Sequence, residues 1–210
     1  MTKTVDSTQR IRRRYERIAP IYDFLEAGME RGLFRRQRRR LLETLSGSVL
    51  EVGIGTGKNL PFYPPDVGVV GIDFSRRMLD RARRYADRLD RPVELIQMDA
   101  QAMAFQDNSF DAVVTTCVFC SVPDPVAGLK EIRRVCRRGG QVVMLEHVRS
   151  RKPVVGALMD GLNFIPLHLY GANINRRTLE NLERAGLTDV NSEDLWLDIL
   201  KRIQVTNGKA

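Results

Sequence analysis

Three glycines at alternating positions, Gly53, Gly55 and Gly57, follow a short apolar run, and an acid, Glu51, stands two residues before the first of them. A strand running into such a turn and then a helix sets bare backbone against a ligand, because side chains there would collide with it. The dinucleotide fingerprint requires G-x-G-x-x-G, and counted from Gly53 its third glycine position holds Lys58. A carboxylate beside the turn would repel a pyrophosphate; it suits a ligand bearing an ammonium and no phosphates. Asp73 follows Gly53 by 20 residues, where an acid can accept hydrogen bonds from both hydroxyls of a ribose. Asp99 ends a third apolar run beside Ala100, in reach of an adenine amino group. Its plainer reading is the N-cap of a short turn beginning at Gln101. Acids closing three successive strands in register with a glycine turn make a nucleoside-binding constellation.

Such positions need a scaffold, and the chain supplies its rhythm. From Leu50 onward short apolar runs alternate with amphipathic helical stretches, as in a parallel sheet covered by helices. Strands are expected at 49–53, 68–73, 93–98, 110–116 and 141–147, with a closing pair at 190–197 and 199–205. In 75–89, Met78, Leu79, Ala82, Tyr85, Ala86 and Leu89 recur at spacings of three and four, so this is a helix capped by Ser75. Further helices are expected at 125–135, stopped before strand five by Gly139-Gly140, and at 178–185, stopped by Gly186. Two regions stand outside the alternation. Residues 8–45 read as a basic helical extension, with Ile11, Tyr15 and Ile18 on one face and Leu25, Met29 and Leu33 after the break at Pro20. Residues 150–172 read as an apolar insertion punctuated by Gly and Pro, with a helix packed on the sheet as ordinary core the plain alternative.

Read together, residues 49–57, Gly71-Ile-Asp-Phe-Ser75, Met98-Asp-Ala100 and Ser109-Phe-Asp-Ala-Val-Val114 resemble the successive motifs of class I S-adenosylmethionine-dependent methyltransferases. Within them, the chain is similar to the ubiquinone/menaquinone C-methyltransferase-like branch, which includes bacterial phosphatidylethanolamine N-methyltransferases. Tyr15-x-x-x-Ala-Pro-x-Tyr22-Asp resembles the N-terminal motif of this branch, which closes over the cofactor. Residues 117–124 and Glu146-His147 resemble its lipid- and thiol-modifying members. The resemblance implies an α/β fold: one Rossmann-like, seven-stranded, mostly parallel sheet with helices on both faces and its last strand antiparallel. It divides the chain into a helical extension or lid at 1–46 and a methyltransferase domain at 47–210. It also implies S-adenosylmethionine as cofactor. Its contacts would be Tyr15, Glu51, Gly53, Gly55, Gly57, Asn59, Asp73, Phe74, Ser75, Asp99, Ala100, Thr116 and Cys117.

Methyl transfer from a sulfonium is an in-line displacement on an activated electrophile, so it demands positioning more than a fixed catalytic motif. Acceptor identity must therefore come from elsewhere. Between Arg10 and Arg40 eleven arginines face four acids, a net +7 out of +8 for the whole chain. This block suits an anionic partner, with a solvated arginine-rich helix face as the plain alternative. The apolar bulk at 154–170 and an aromatic set of Tyr15, Tyr22, Phe119, Tyr170 and Trp196 suit a lipid whose amine becomes progressively methylated. The favoured acceptor is the amine of phosphatidylethanolamine, with Tyr22, His147 and Tyr170 as orienters or proton relays. A small-molecule thiol or a quinone is the competing acceptor. An RNA-directed methyltransferase or binding module is the reading from another class. It lacks both an Asn-Pro-Pro-aromatic motif after strand four and aromatics interleaved with the basic arm.

Composition bounds the rest. With 210 residues, 43% hydrophobic and 29% charged, the chain suits one soluble domain. The apolar stretch at 154–170 is broken by Gly156, Gly161 and Pro166, and a transmembrane helix wants about 20 uninterrupted apolar residues. Three cysteines do not describe a disulfide scaffold. Cys117-x-x-Cys120 lacks further zinc ligands with paired spacing and follows a strand instead of opening a helix as redox pairs do. The expectation is therefore a cytoplasmic protein without structural metal, lying peripherally on the inner membrane face.

Overall fold

The computed structural model describes residues 7–19, 32, 34–169 and 171–208. Seven strands form one sheet: β1 (Ser48–Val52), β2 (Gly68–Asp73), β3 (Glu94–Gln97), β4 (Phe110–Thr116), β5 (Cys136–His147), β6 (Val190–Trp196) and β7 (Leu200–Thr206). Their spatial order is β3-β2-β1-β4-β5-β7-β6. The first five pair in parallel, whereas β7 runs antiparallel to both β5 and β6.

The central strands read as near-continuous apolar runs because both faces are buried. Leu50, Val113, Val142 and Met144 pack on one side with α4 (Pro125–Val135) and α7 (Thr178–Arg184), through Leu129, Ile132 and Leu182. Val49, Val114, Val143 and Leu145 pack on the other with α2 (Arg35–Leu42) and α3 (Arg76–Arg88), through Leu41, Leu42, Leu79 and Ala86. Ser75 caps α3 as expected, accepting from Met78 N at 3.3 Å, and Asp124 caps α4 by accepting from Ala127 N at 3.0 Å. Helix α1 covers residues 7–19. The proposed continuation through Leu25, Met29 and Leu33 lies outside the described residues.

Two expectations change. Gly139-Gly140 do not separate α4 from strand five, because β5 begins at Cys136 and carries them within it. Register against β4 slips between the Phe110↔Cys136 and Ala112↔Gln141 pairs, so the glycines serve an irregularity in a strand. The insertion at 150–172 contains two helices, α5 (Pro153–Leu162) and α6 (Phe164–Leu169). No helix among the described residues is long and apolar enough to cross a membrane.

Candidate functional site

Parallel strands end on the same edge, and the crevice of an open α/β sheet lies where strand order reverses. Here that point is between β1 and β4, which are neighbours while β2 and β5 lie to either side. A cleft opens there. Its walls come from the segments leaving four strands: Val52–Gly55 after β1, Asp73 and Phe74 after β2, Met98–Ala100 after β3, and Thr116–Val118 after β4.

Gly53 and Cys117 shape the floor. Gly53 has φ +69°, and a Cβ on it would sit 2.5 Å from Val118 Cγ2. Any side chain at this position is both strained and blocked. Cys117 also turns through a positive φ, 54°, while its N–H donates to Leu145 O at 2.8 Å. A non-glycine residue held left-handed at a strand end redirects the chain into the cleft wall.

Asp73 is buried, and its oxygens accept from Ser75 N at 2.8 Å and Gly55 N at 3.0 Å. Burial pushes its carboxyl up to about 6, against the pull of those two N–H donors. The same two bonds tie the glycine turn to the start of α3. Asp99 accepts from Gln101 N at 2.9 Å, so its turn-capping reading is realised while the residue also lines the cleft.

Helix α1 lies across the opening, contributing Thr8 and Tyr15 to the lining. Several contacts hold it, among them Arg77, which donates from Nη1 to Glu16 O at 3.1 Å and pairs with the Glu16 carboxylate at 3.6 Å. Gln101 Nε2 donates to Thr8 Oγ1 at 3.2 Å; Tyr15 OH and Ser121 Oγ share a 2.6 Å hydrogen bond; Ser75 Oγ donates to Glu16 Oε1 at 3.1 Å; and Arg14 donates to Leu167 O of α6. The Tyr15 and Phe74 rings meet edge-on at 5.5 Å.

Of the thirteen residues expected at the site, nine line the cleft: Tyr15, Gly53, Gly55, Asp73, Phe74, Asp99, Ala100, Thr116 and Cys117. Four stand behind it. Glu51 is buried, its oxygens accepting from Asn59 Nδ2 and Tyr63 OH, each at 2.8 Å. Asn59 in turn accepts from Arg38 Nη1 at 2.7 Å. Burial raises the Glu51 carboxyl to about 7, offset by Tyr63, Asn59 and the Arg38 charge. This acid therefore braces the turn from within and is not among the residues lining the cleft. A Cβ on Gly57 would lie 2.9 Å from Leu60 Cδ1 and 3.3 Å from Ala82 Cα, so this glycine permits the turn to pack on α3. Ser75 is wholly buried as the cap of α3.

The expected acceptor residues fare differently. Tyr22 and Tyr170 lie outside the described residues. His147 ends β5, but it is absent from the lining; burial lowers its pKa, and its Nδ1 is buried without a hydrogen-bond partner. Phe119 is no part of an aromatic wall: it is 1% exposed and packs in the core against Gly128. Trp196 is no part of one either, standing 57% exposed at the end of β6. Burial pushes the Cys120 thiol up to about 12, so it stays protonated at neutral pH. Among the described residues no three His, Cys, Asp or Glu side chains could hold a metal ion. Sequence reasoning did not single out Thr8, Val118, Ser121 and Val122 as lining residues; the last three fall within the 117–124 stretch, whereas no motif marks Thr8.

A bare turn, two carboxylates closing adjacent strands and the apolar walls of Ile72, Met78, Met98 and Val122 fit an adenosine carrying a short charged arm. Comparison with known proteins agrees. A family model described as "Methyltransferase domain" matches residues 50–144. The chain is 42% identical over 154 residues to a phosphatidylethanolamine N-methyltransferase of Cereibacter sphaeroides, covering 72% of this chain and 75% of that one. It is 34% identical over 165 residues to a ubiquinone/menaquinone biosynthesis C-methyltransferase of Geobacter sulfurreducens, covering 72% and 63%. Among solved structures, a SAM-dependent methyltransferase of Thermotoga maritima aligns with TM-score 0.69 at 19% identity, over 94% of this chain and 99% of that one. A SAM-dependent methyltransferase of Aquifex aeolicus aligns with TM-score 0.58 at 18% identity, over 82% and 87%. These two show the fold alone. With the relative at 42% identity, they make the chain a member of the class I S-adenosylmethionine-dependent methyltransferases, with S-adenosylmethionine as its cofactor.

Proposed function

We propose that the protein transfers methyl groups to the amine of a phospholipid head group, in the conversion of phosphatidylethanolamine toward phosphatidylcholine. The observation that carries this reading is the 42% identity with a phosphatidylethanolamine N-methyltransferase. The surroundings of the cleft support it: the lid helix α1 joins α6 through Arg14 and Leu167, beside an exposed apolar surface.

In this reading Asp73 holds the ribose hydroxyls, Asp99 and Ala100 the adenine edge, and Phe74 with Met98 the ring faces. Gly53, Gly55, Thr116 and Cys117 line the arm that carries the sulfonium. Bound S-adenosylmethionine supplies the activated methyl group, and alignment of the acceptor can lower the barrier by roughly 7–11 kcal/mol. A head-group amine must shed a proton before attack. The Tyr15–Ser121 pair is the hydroxyl pair on the cleft wall suited to orient that amine. Tyr22 and Tyr170 keep their proposed relay roles through their sequence positions. His147 would act by supporting the segment around Ile174, whose backbone faces its ring. Residues 1–46 serve as lid and membrane-facing arm, residues 47–210 as the transferase domain, on the cytoplasmic membrane face.

A quinone acceptor is the second reading, favoured by the 34% relative. Purified protein, labelled S-adenosylmethionine and separate pools of phosphatidylethanolamine, demethylated quinone and small thiols decide between them. Labelled methylated lipid is the expected product. Label in quinone alone, or in a small thiol alone, overturns the phospholipid reading.

A further inference from the structure

Seven of the eight large hydrophobic side chains exposed among the described residues fall in two short segments, α5–α6 and the turn joining β6 to β7. In α5 the exposed large hydrophobics are Val154, Leu158 and Leu162, at 74%, 59% and 51%, recurring every four residues as one stripe. A surface helix ordinarily turns its apolar stripe inward and its polar face to water. Here the buried side holds Gly156 and Met159, and the apolar stripe faces out. Phe164 and Ile165 extend it into α6, 58% and 44% exposed.

The β6–β7 turn is fastened to the same place. Asp198 accepts from Ser150 Oγ at 2.7 Å and from Arg151 N at 2.6 Å, and Arg151 Nη2 reaches Asp194 at 3.2 Å. Leu197 therefore lines a groove with Lys152 and Pro153 at the start of α5, with Trp196 beside it in sequence. Both side chains are more than half exposed.

Cations border this surface on two sides. At its β6–β7 end Lys152 is exposed beside Arg151, whose guanidinium is paired with Asp194. At its α6 end Arg14 binds Leu167 O and Ile11 lies against Gly171, which brings up α1 with Arg12, Arg13 and Arg17 exposed. An apolar centre edged by cations is complementary to anionic head groups over acyl chains. Tryptophan is a side chain of that boundary. We propose that α5, α6 and the β6–β7 turn insert together into the head-group–acyl boundary of an anionic bilayer, as an apolar anchor separate from the cations of α1. This anchor rests on the reading that the acceptor is a membrane lipid.

Trp196 is the chain's one tryptophan and reports directly on its own surroundings. The full chain is mixed with vesicles of phosphatidylcholine, with and without phosphatidylglycerol, at low and high salt. The expected result is a blue shift of Trp196 emission on anionic vesicles, quenched by lipids brominated high on the acyl chain. A Leu158→Glu, Leu162→Glu double variant should lose the shift and bind vesicles about tenfold or more weakly. Its affinity for S-adenosylmethionine should be unchanged, which shows that it is folded. Vesicle binding with an unshifted Trp196 overturns the proposal. So does a double variant that binds as wild type, or one whose only change is loss of a dimer. No readout involves methyl transfer, so methylated lipid without a Trp196 shift overturns the anchor alone. A shift without methylated lipid overturns the acceptor reading alone.

Discussion

Asp73 and Glu146 show what a single buried carboxyl does here. Asp73 lies in the cleft and also holds Gly55 and Ser75 by their N–H groups. Replacing it with Ala removes a charge-assisted partner of a ribose, a loss of about 1.5–3 kcal/mol, or roughly 10- to 150-fold in Kd for S-adenosylmethionine. Asp73→Asn, which retains an acceptor for one backbone donor, should lose less. Calorimetry with unchanged affinity in both variants would remove Asp73 from the cofactor site. Glu146 is wholly buried behind the post-β4 turn, accepting from Thr115 Oγ1 at 2.8 Å and Val118 N at 3.1 Å, and burial raises it to about 7. A carboxyl raised in the folded state favours folding below its unfolded pKa, here about 4.5, and that contribution is lost as pH climbs through about 7. Glu146→Gln cannot titrate, so its melting temperature should vary less than the wild type's between roughly pH 5 and 8. Parallel melting profiles for the two proteins would refute this. Asp73 was legible in the sequence because it ends a strand at a fixed distance from a glycine turn. The inward role of Glu51 was not, since the same spacing serves a ligand's ammonium or a Tyr63–Asn59 clamp equally well.

Among the elements, α1 is the one whose position is set mainly by side-chain contacts to cleft-lining segments. The Tyr15–Ser121 hydrogen bond and the Tyr15–Phe74 ring contact join it to two walls at once. Tyr15→Phe keeps the ring and loses the hydroxyl, a change of about 0.5–1.5 kcal/mol, so cofactor affinity should fall roughly 2- to 10-fold. Tyr15→Ala should cost more, and faster cofactor release in stopped flow would locate the effect in lid opening. Wild-type release in both variants would show that α1 does not cover the cofactor. The strands were legible because the middles of β1, β4 and β5 are buried on both faces and read as apolar runs, such as Ala112 to Val114 and Val142 to Leu145. Strand five was misjudged at its start because Gly139-Gly140 signal a helix stop and a strand irregularity with the same letters. The insertion was recognised by composition, with a helix packed on the sheet as its plain alternative; the structure has two helices, and Val154, Leu158, Leu162, Phe164 and Ile165 on them are exposed. Their apolar stripe points outward, which the sequence does not reveal, since residues at helical spacing read the same whichever way they face.

For the whole molecule, charge is the property that sequence shows best and fold explains least. Nearly all of the +8 excess sits between Arg10 and Arg40, and of that block Arg12, Arg13 and Arg17 are exposed on the lid. If these side chains meet an anionic leaflet, each contributes about 1 kcal/mol near the surface. Changing all three to Gln should then weaken binding to anionic vesicles by about 100-fold at low salt. The screening length falls from about 10 Å at 0.1 M to about 3 Å at 1 M ionic strength, so wild-type binding should decline steeply over that range. The triple variant, with less charge to screen, should decline less. Binding that survives at 1 M salt must come from apolar burial, which screening leaves intact, so wild type and triple variant should converge there. Vesicle sedimentation across a salt series checks both slopes. Equal binding to neutral and anionic vesicles would remove the electrostatic role of α1. Tighter binding to RNA than to vesicles, with the same salt slope, would move the protein's arginine block to a nucleic-acid partner instead.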